Sequence, residues 1–185
     1  QDKIEPMAYI DKSKLSQEEK NKYEEIGSNI ISNGEYAVAT MAGGQGSRLG
    51  HKGPKGTFEL FPGKSLFEIL SDELKRANKR FNTIIPWYIM TSRENNNDTV
   101  KFFEEKNYFN YPKESIKFFM QGELPMIDTI GKILLESKGK IKLAADGNGG
   151  IFSSMIKNGI LEEMQNKGIK WVFIGSIDNA ILKLA

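Results

Sequence analysis

Cysteine is absent from the 185-residue chain, and histidine occurs only once. Without thiols the chain cannot form a disulfide, bind a metal through thiolates or use a cysteine nucleophile. A single histidine also excludes a multi-histidine metal centre within these residues. Any chemistry must therefore come from other side chains, from the backbone or from a bound ion.

An excess of charge of one sign is also missing, because 26 basic and 24 acidic residues leave a formal net charge of +2. This balance argues against a dedicated nucleic-acid or membrane-surface binder. No apolar run approaches the roughly 18 residues of a membrane span, and Gln1–Pro6 lacks the apolar core of a signal peptide. We expect a cytoplasmic globular protein that contacts neither nucleic acid nor membrane.

Glycine is abundant, with 18 residues, and it is concentrated between residues 41 and 56. The apolar run Glu35–Thr40 before this stretch is typical of a buried strand, and Ser65–Arg80 after it has helical spacing. Glycines allow the backbone to approach a ligand closely. Free backbone N–H groups, together with Arg48 and Lys55, can surround a polyphosphate. The stretch therefore predicts an anion site, most simply for a nucleotide, in an α/β fold.

Two well-known phosphate-binding loops do not match this stretch. The Walker loop requires Gly-x-x-x-x-Gly-Lys-Ser/Thr, and no window supplies it. The dinucleotide fingerprint Gly-x-Gly-x-x-Gly can begin at Gly44, but Leu49 occupies the position of its third glycine. Both readings are excluded by spacing.

The remaining pattern alternates short apolar strands with amphipathic helices. Such alternation predicts a Rossmann-like, doubly wound, mainly parallel sheet whose ligands bind at the carboxyl ends of the strands. The polar and glycine-rich blocks of the chain follow these strands. The predicted strands are Glu35–Thr40, Trp87–Thr91, Ile116–Met120 and Trp171–Gly175.

Three local predictions accompany this fold. Residues 1–34 form an N-terminal helical segment, in which Ser16 and Glu19 make a capping box. Asp98 caps the helix that follows the second strand. A hairpin spans residues 132–143, and the apolar strand Trp171–Gly175 is fully buried.

The block Ala42–Gly50, followed by Gly53–Gly56, resembles the signature loop of the sugar nucleotidyltransferases. Within them it is most similar to the UDP-sugar pyrophosphorylases, and especially to the UDP-N-acetylglucosamine (UDP-N-acetylhexosamine) pyrophosphorylases. Further blocks occur in the order of that family and span most of the chain. They are Lys64–Phe67, Gln121–Gly122 with Leu124–Pro125, Asp146–Gly150 and Asp178–Asn179.

The resemblance implies the nucleotide-diphospho-sugar transferase (GT-A-like) fold, with residues 35–185 as the nucleotide-binding part of the catalytic domain. It implies a uridylyltransferase that uses Mg²⁺ and two small-molecule substrates, UTP and N-acetylglucosamine 1-phosphate. Members of the family continue well beyond the position of Ala185. We therefore expect a truncated domain that binds nucleotide and has little turnover alone; no oligomeric state is predicted.

The same resemblance implies roles for individual residues. The backbone of the glycine loop lines the nucleotide, and two cations neutralise the triphosphate as the catalytic groups. These residues are Ala42, Gly43, Gly44 and Gly46 for the nucleotide, and Arg48 and Lys55 for catalysis.

The later blocks are implied to bind the base, the sugar and the metal. Gln121 reads uracil, since a side-chain amide offers both a donor and an acceptor to one edge of the base. Gly147 packs on or bonds to the uracil, while Asn148 and Gly149 contact the sugar. Asp178 holds Mg²⁺ or, alternatively, contacts the ribose.

Two alternatives to this function remain open. The sugar could be glucose or galactose, although Gly-Asn-Gly-Gly at 147–150 is the N-acetylglucosamine form of a block that usually carries histidine and aspartate in UDP-glucose enzymes. The chain could also be a non-catalytic nucleotide-binding module. His51, inside the glycine loop, could contact phosphate or be a solvated loop residue.

Overall fold

The computed structural model describes residues 5–179 and 181–185. The chain is α/β, and its strands and α-helices alternate along most of the sequence. In chain order they are α1 (Gln17–Ser32), β1 (Tyr36–Met41), β2 (Glu59–Phe61), β3 (Lys64–Ser65), α2 (Leu66–Phe81), β4 (Trp87–Thr91), α3 (Asn96–Glu105), β5 (Ile116–Met120), β6 (Glu123–Pro125), β7 (Leu135–Ser137), β8 (Lys140–Ile141), β9 (Leu143–Ala145), α4 (Ile151–Lys157), α5 (Ile160–Asn166) and β10 (Trp171–Ser176).

The central sheet contains β10, β1, β4 and β5 in this order, and each neighbouring pair is parallel. Side chains alternate between its two faces, as strand geometry requires. Val38, Trp87 and Ile89 lie in the core with α2 and α3, whereas Ala39 and Met90 lie in a second core with α4 and α5. Helices therefore cover both faces, which confirms the predicted doubly wound α/β fold.

The strand order places a topological switch point beside β1. From β1 the chain proceeds through α2 to β4 and through α3 to β5, and later returns to place β10 on the opposite side of β1. Met41 pairs with Ser176, so the loops that follow these two strands leave the sheet side by side. In open α/β sheets, ligands bind in the crevice that such diverging loops create.

Helix α2 fixes the far end of the glycine loop. Ser65 caps it by accepting a hydrogen bond from the Glu68 N–H at 3.2 Å. Its buried face carries Phe67, which is fully buried against the loop. A Cβ atom on Gly56 would lie only 2.1 Å from Phe67 Cε2, so the loop packs on the helix at a point where only glycine fits.

Gly56→Ala should therefore destabilise the chain by roughly 1–3 kcal/mol, the usual cost of overpacking a filled core. Urea unfolding followed by circular dichroism measures this free energy. Gly27→Ala is the matched control, because Gly27 lies in α1 and the added methyl would meet nothing within 4 Å apart from its chain neighbours and the backbone of its own helix. That control should be neutral or stabilising, since alanine is the better helix former. Equal effects at both positions would contradict the packing argument.

The amino-terminal capping box is confirmed, since Ser16 and Glu19 bond reciprocally at the start of α1. The prediction that Asp98 caps the following helix is wrong. Helix α3 begins earlier, with Asn95 as its N-cap residue and Asp98 inside its first turn. The cluster of three asparagines before Asp98 offered competing cap residues, and the first of them, Asn95, stands at the N-cap.

Strand β10 is less buried than predicted for an apolar parallel strand. Within the described residues it pairs only with β1, and Trp171 at its start is 59% exposed. The predicted hairpin forms between β7 and β8 but is shorter, and an additional antiparallel pair, β6 with β9, connects it to the sheet. Among the residues that the structure describes, none of the helices has the length and hydropathy of a membrane span.

Candidate functional site

A cavity of about 420 Å³ opens at the carboxyl ends of β1 and β10. Its walls come from the glycine loop, the end of β5, the turn before α4 and the segment after β10. The sequence-predicted residues that line it are Gly43, Gly44, Arg48, Lys55, Gln121, Gly147, Asn148 and Asp178.

The glycine loop closes on itself through backbone hydrogen bonds. Gln45 and Pro54 form an antiparallel bridge. The Gly46 N–H donates to the Gly53 carbonyl at 2.9 Å, and the Lys55 N–H donates to the Gly44 carbonyl at 3.0 Å. The loop therefore returns Lys55 to the side of Gly44, at the cavity wall.

Three consecutive N–H groups at the start of this loop lack an internal partner. The amides of Gly43, Gly44 and Gln45 donate to no carbonyl or side chain within the described part of the chain. All three residues line the cavity. Unpaired backbone N–H groups that cluster at a concave surface form an anion-binding site.

The cations of the loop differ in their surroundings. The Lys55 side chain is only 12% exposed, and its Nζ lies 2.7 Å from Oδ1 of Asp178, whose side chain is 56% exposed. Arg48 lies in a short 3-10 turn, is exposed and makes no ion pair with another described residue. Lys55 is thus a paired, largely buried charge at the wall, and Arg48 is an exposed charge at the cavity.

Gln121 follows β5 directly, and its backbone N–H donates to Thr91 O at 2.9 Å. Its side-chain amide lies against Gly43, where a Cβ atom would be only 2.7 Å from Oε1. Glycine at position 43 therefore leaves the room that this amide occupies. Gln121 and Gly43 also line an adjoining cavity of about 210 Å³, so the amide stands between the two spaces.

The turn before α4 is shaped by glycines and by the carboxylate of Asp146. Gly147 has a φ of +83°, a left-handed conformation that favours glycine. Oδ2 of Asp146 lies 2.3 Å from the positions that Cβ atoms on Gly122 and Gly150 would take. Glycine at these two positions lets Asp146 connect the turn to the end of β5, which brings Asn148 to the cavity.

Three predicted site residues lie outside the cavity wall. Ala42 is fully buried beneath the loop and donates its N–H to Met90 O at 2.7 Å. Gly46 packs against His51, and a Cβ atom added to Gly46 would lie only 2.8 Å from the His51 Cβ. Gly149 is exposed and is not part of the wall.

His51 supports the loop from behind. Its Nε2 lies 2.7 Å from Thr57 Oγ1, and Thr57 donates its hydroxyl hydrogen to Pro54 O. The histidine must therefore donate from Nε2 in this contact. The His51 ring also packs edge to face against Phe58, with 5.8 Å between the ring centroids. These contacts place His51 within the loop and not at the cavity.

The sequence prediction missed several polar groups near the cavity. Gln45, Ser47 and Ser176 line it, and they occur inside or beside the predicted blocks. Asn95 was missed as well, although it is fully buried and hydrogen-bonded to the glycine loop. Its only sequence signal was an asparagine near a helix start, which many helices share.

A magnesium site made by the protein alone is not present among the described residues, where no group of three or more histidine, aspartate or glutamate residues could hold a metal. Asp178 supplies one carboxylate at the wall, and one of its oxygens already contacts Lys55. Mg²⁺ commonly binds through one or two carboxylates, with phosphate and water completing its octahedron. The donor set therefore fits an ion that arrives with the nucleotide phosphates.

A sequence model described as UTP–glucose-1-phosphate uridylyltransferase matches residues 1–184. The chain belongs to this family. The UDP-N-acetylglucosamine pyrophosphorylase of Saccharomyces cerevisiae is 42% identical over 171 residues, which cover 89% of this chain and 36% of the yeast protein. This uridylyltransferase-family chain thus spans little more than a third of the length of that relative.

Solved structures agree with the family assignment. The Trypanosoma brucei uridine diphosphate N-acetylglucosamine pyrophosphorylase, solved with an inhibitor, is 31% identical with a TM-score of 0.80, over 88% of this chain and 36% of that one. A UDP-glucose pyrophosphorylase mutant of Leishmania major, solved with UDP-glucose, is 20% identical with a TM-score of 0.69, over 83% of this chain and 33% of that one. The second likeness shows the fold alone; both confirm the predicted fold class.

Proposed function

We propose that the chain binds UTP and is the nucleotide-binding part of a uridylyltransferase that makes UDP-N-acetylglucosamine and pyrophosphate from UTP and N-acetylglucosamine 1-phosphate. One observation carries the proposal. The Gln121 amide and the three unpaired N–H groups of Gly43, Gly44 and Gln45 line adjoining cavities beside Lys55. This arrangement supports a base-reading amide next to a phosphate-binding loop.

The base side of the site rests on Gln121. Uracil presents a neighbouring N–H and C=O on one edge, which an amide can match with two hydrogen bonds. The absence of a side chain at Gly43 allows the amide to reach the junction of the two cavities. Cytosine presents the reverse order of donor and acceptor at this edge, so an amide held in one orientation by the site distinguishes the two bases.

The phosphate side would carry out the reaction by position and charge. An oxygen of the sugar phosphate attacks the α-phosphorus of UTP, a new P–O bond forms, the bond to the β-phosphate oxygen breaks, and pyrophosphate leaves with the electron pair. The protein need not form a covalent intermediate. Lys55, Arg48 and the loop N–H groups would neutralise the charge that develops on the phosphate oxygens.

Magnesium is part of the proposal and would be held by Asp178 together with phosphate oxygens. The ion would supply charge neutralisation and alignment of the phosphates. Asp178 would have to release Lys55 as it takes up this role, because the two side chains are paired in the free chain.

N-acetylglucosamine is the proposed sugar because the yeast and trypanosomal relatives, both more than 30% identical, carry that name. Asn148 and Gly149 are the proposed contacts to it. Asn148 lines the cavity, and both residues are exposed. The cytoplasmic location stays a prediction from the sequence.

Ligand binding tests the base-reading role directly. In the presence of Mg²⁺, calorimetric titration should show tighter binding of UTP than of CTP or ATP. Gln121→Glu removes the amide donor and should weaken UTP binding by roughly 10- to 100-fold, the effect of losing a matched hydrogen bond and leaving a polar group unpaired.

Gln165→Glu is the control, because it makes the same charge change at an exposed position on α5. UTP binding no tighter than CTP binding, or equal losses in both variants, would contradict a base-reading Gln121. Release of pyrophosphate upon addition of N-acetylglucosamine 1-phosphate, compared with glucose 1-phosphate, distinguishes an active enzyme from a binding module and identifies the sugar.

A further inference from the structure

Asn95 connects the helix after β4 to the glycine loop. Its side chain is fully buried. Nδ2 donates to Ala42 O at 2.9 Å and to Gly44 O at 3.3 Å, while Oδ1 accepts from the Ser92 N–H at 2.8 Å. Two carbonyl acceptors and one N–H donor fix the orientation of the amide, since only NH₂ can serve the first two.

The position of Asn95 makes this arrangement informative. It is the N-cap residue of α3, yet its side chain makes no capping bond to its own helix. Asparagine at this position ordinarily satisfies free N–H groups of the first turn. Here the side chain instead spans more than 50 positions of sequence to bond a loop that lines the cavity.

The two carbonyls that it holds determine where the loop amides point. In a trans peptide the C=O and the following N–H point in opposite directions. With Ala42 O bound to Asn95, the Gly43 N–H points away from α3. With Gly44 O bound to Asn95 and to the Lys55 N–H, the Gln45 N–H does the same. These are two of the three unpaired amides at the cavity wall.

We propose that Asn95 is a positioning residue for phosphate binding, which orients the Gly43 and Gln45 amides toward the nucleotide phosphates without touching the ligand itself. This inference rests on the proposed function, because it assumes that the cavity takes a nucleotide. It follows that Asn95 acts mainly on the phosphate side of the site and reaches the Gln121 side only through Gly43. A residue that served only stability would weaken all ligands alike.

The test compares UTP with uridine, which lacks phosphates. Asn95→Ala removes both the donor and the acceptor without adding a charge. Asn95→Asp keeps the acceptor for Ser92 but adds a negative charge near the phosphates, so it serves only if the alanine variant does not fold. We expect at least a tenfold rise in the dissociation constant of Mg–UTP, measured by calorimetry, with less than a twofold rise for uridine, measured by NMR titration. Equal losses for both ligands would overturn the positioning role.

Asn78→Ala is the matched control. Its Oδ1 accepts from the Ile85 N–H at 3.0 Å, so it also anchors a loop by side chain, but at the opposite end of β4. It should lower stability and leave the ratio of UTP to uridine affinity unchanged. A change in that ratio as large as that of the Asn95 variants would overturn the inference.

A second measurement separates failure of the inference from failure of the proposed function. If the unaltered chain binds no UTP, the proposed function fails. The Asn95 contacts can still be followed in the ligand-free chain by the ¹H–¹⁵N resonances of Gly43, Gly44 and Gln45. These should shift or broaden in Asn95→Ala and not in Asn78→Ala; unchanged resonances would show that Asn95 does not orient the loop.

Discussion

Lys55→Met should weaken the binding of Mg–UTP by roughly 10- to 100-fold, because a hydrogen bond to a charged group contributes about 1.5–3 kcal/mol. The Lys55 side chain is only 12% exposed, so water screens the attraction between its ammonium group and a phosphate only weakly. The methionine keeps most of the aliphatic stem and removes the ammonium group. Uridine, which has no phosphates, should bind both forms alike.

The fold itself should tolerate this change. The only ion pair of Lys55 within the described residues is with Asp178, whose side chain is 56% exposed. Such pairs usually contribute about 0–1 kcal/mol to stability. Urea unfolding should therefore show a small change in the free energy of unfolding, while titration calorimetry shows the large change in affinity.

Lys52→Met is the control for general electrostatics. Lys52 lies in the same loop, is exposed and is not part of the cavity wall. It removes the same charge at a short distance from the site. An effect of Lys52→Met on UTP affinity as large as that of Lys55→Met would show that net charge, and not a direct phosphate contact, controls binding.

Much of the sheet could be predicted because its strands are short and apolar. Trp87–Thr91 and Ile116–Met120 were predicted with the bounds that the structure has. Helix α2 was equally clear, since its apolar residues recur with helical spacing and Ser65 marks its start. Local patterns of this kind carry most of the information that sets element type.

The lateral position of a strand is not encoded in such patterns. Strand β10 is apolar like an interior strand, yet within the described residues it lies at the edge of the sheet. An apolar run indicates that a strand is suited to burial. It does not indicate which other strands or helices will lie beside it. The prediction of burial at Trp171 went wrong for that reason.

The residues of the candidate site also differ in how far local sequence predicts them. Gly44, Lys55 and Gln121 could be predicted because each stands in a recognisable block at a strand end. Asn95 could not, because its role depends on hydrogen bonds to Ala42 and Gly44, far away in sequence. Asn95 stands at the N-cap of α3, but its side chain bonds the glycine loop and does not cap the helix. A prediction based on local capping cannot identify such a residue, and it chose Asp98.

Asp178→Asn should have opposite effects on UTP binding with and without magnesium. In EDTA, the variant should bind UTP about two- to fivefold more tightly. Lys55 then no longer pairs with a carboxylate, and the phosphates no longer face the negative charge of Asp178. The size of this gain corresponds to the energy of a partly exposed ion pair. The metal-free gain follows from the 2.7 Å contact between Lys55 Nζ and Asp178 Oδ1.

Addition of Mg²⁺ should raise the UTP affinity of the unaltered chain more than that of Asp178→Asn. The carboxylate of Asp178 can hold the ion against the phosphates, whereas an amide is a weaker ligand for a hard cation. The increase in UTP affinity upon addition of Mg²⁺ should be at least roughly tenfold larger in the unaltered chain, on the scale of one charge-assisted contact. Titration of UTP in EDTA and in Mg²⁺ measures both quantities. Asp98→Asn, an exposed change of the same charge in α3, is the control.

The combination with Lys55→Met separates the two roles of Asp178. In that background no ammonium group remains to be released, so Asp178→Asn should lose most of its metal-free gain. The dependence on Mg²⁺ should still fall, because it requires only the carboxylate. If the variant left the response to Mg²⁺ unchanged in both backgrounds, Asp178 would be a partner of Lys55 alone, and the magnesium ion would have to be held by the phosphates or by residues other than Asp178.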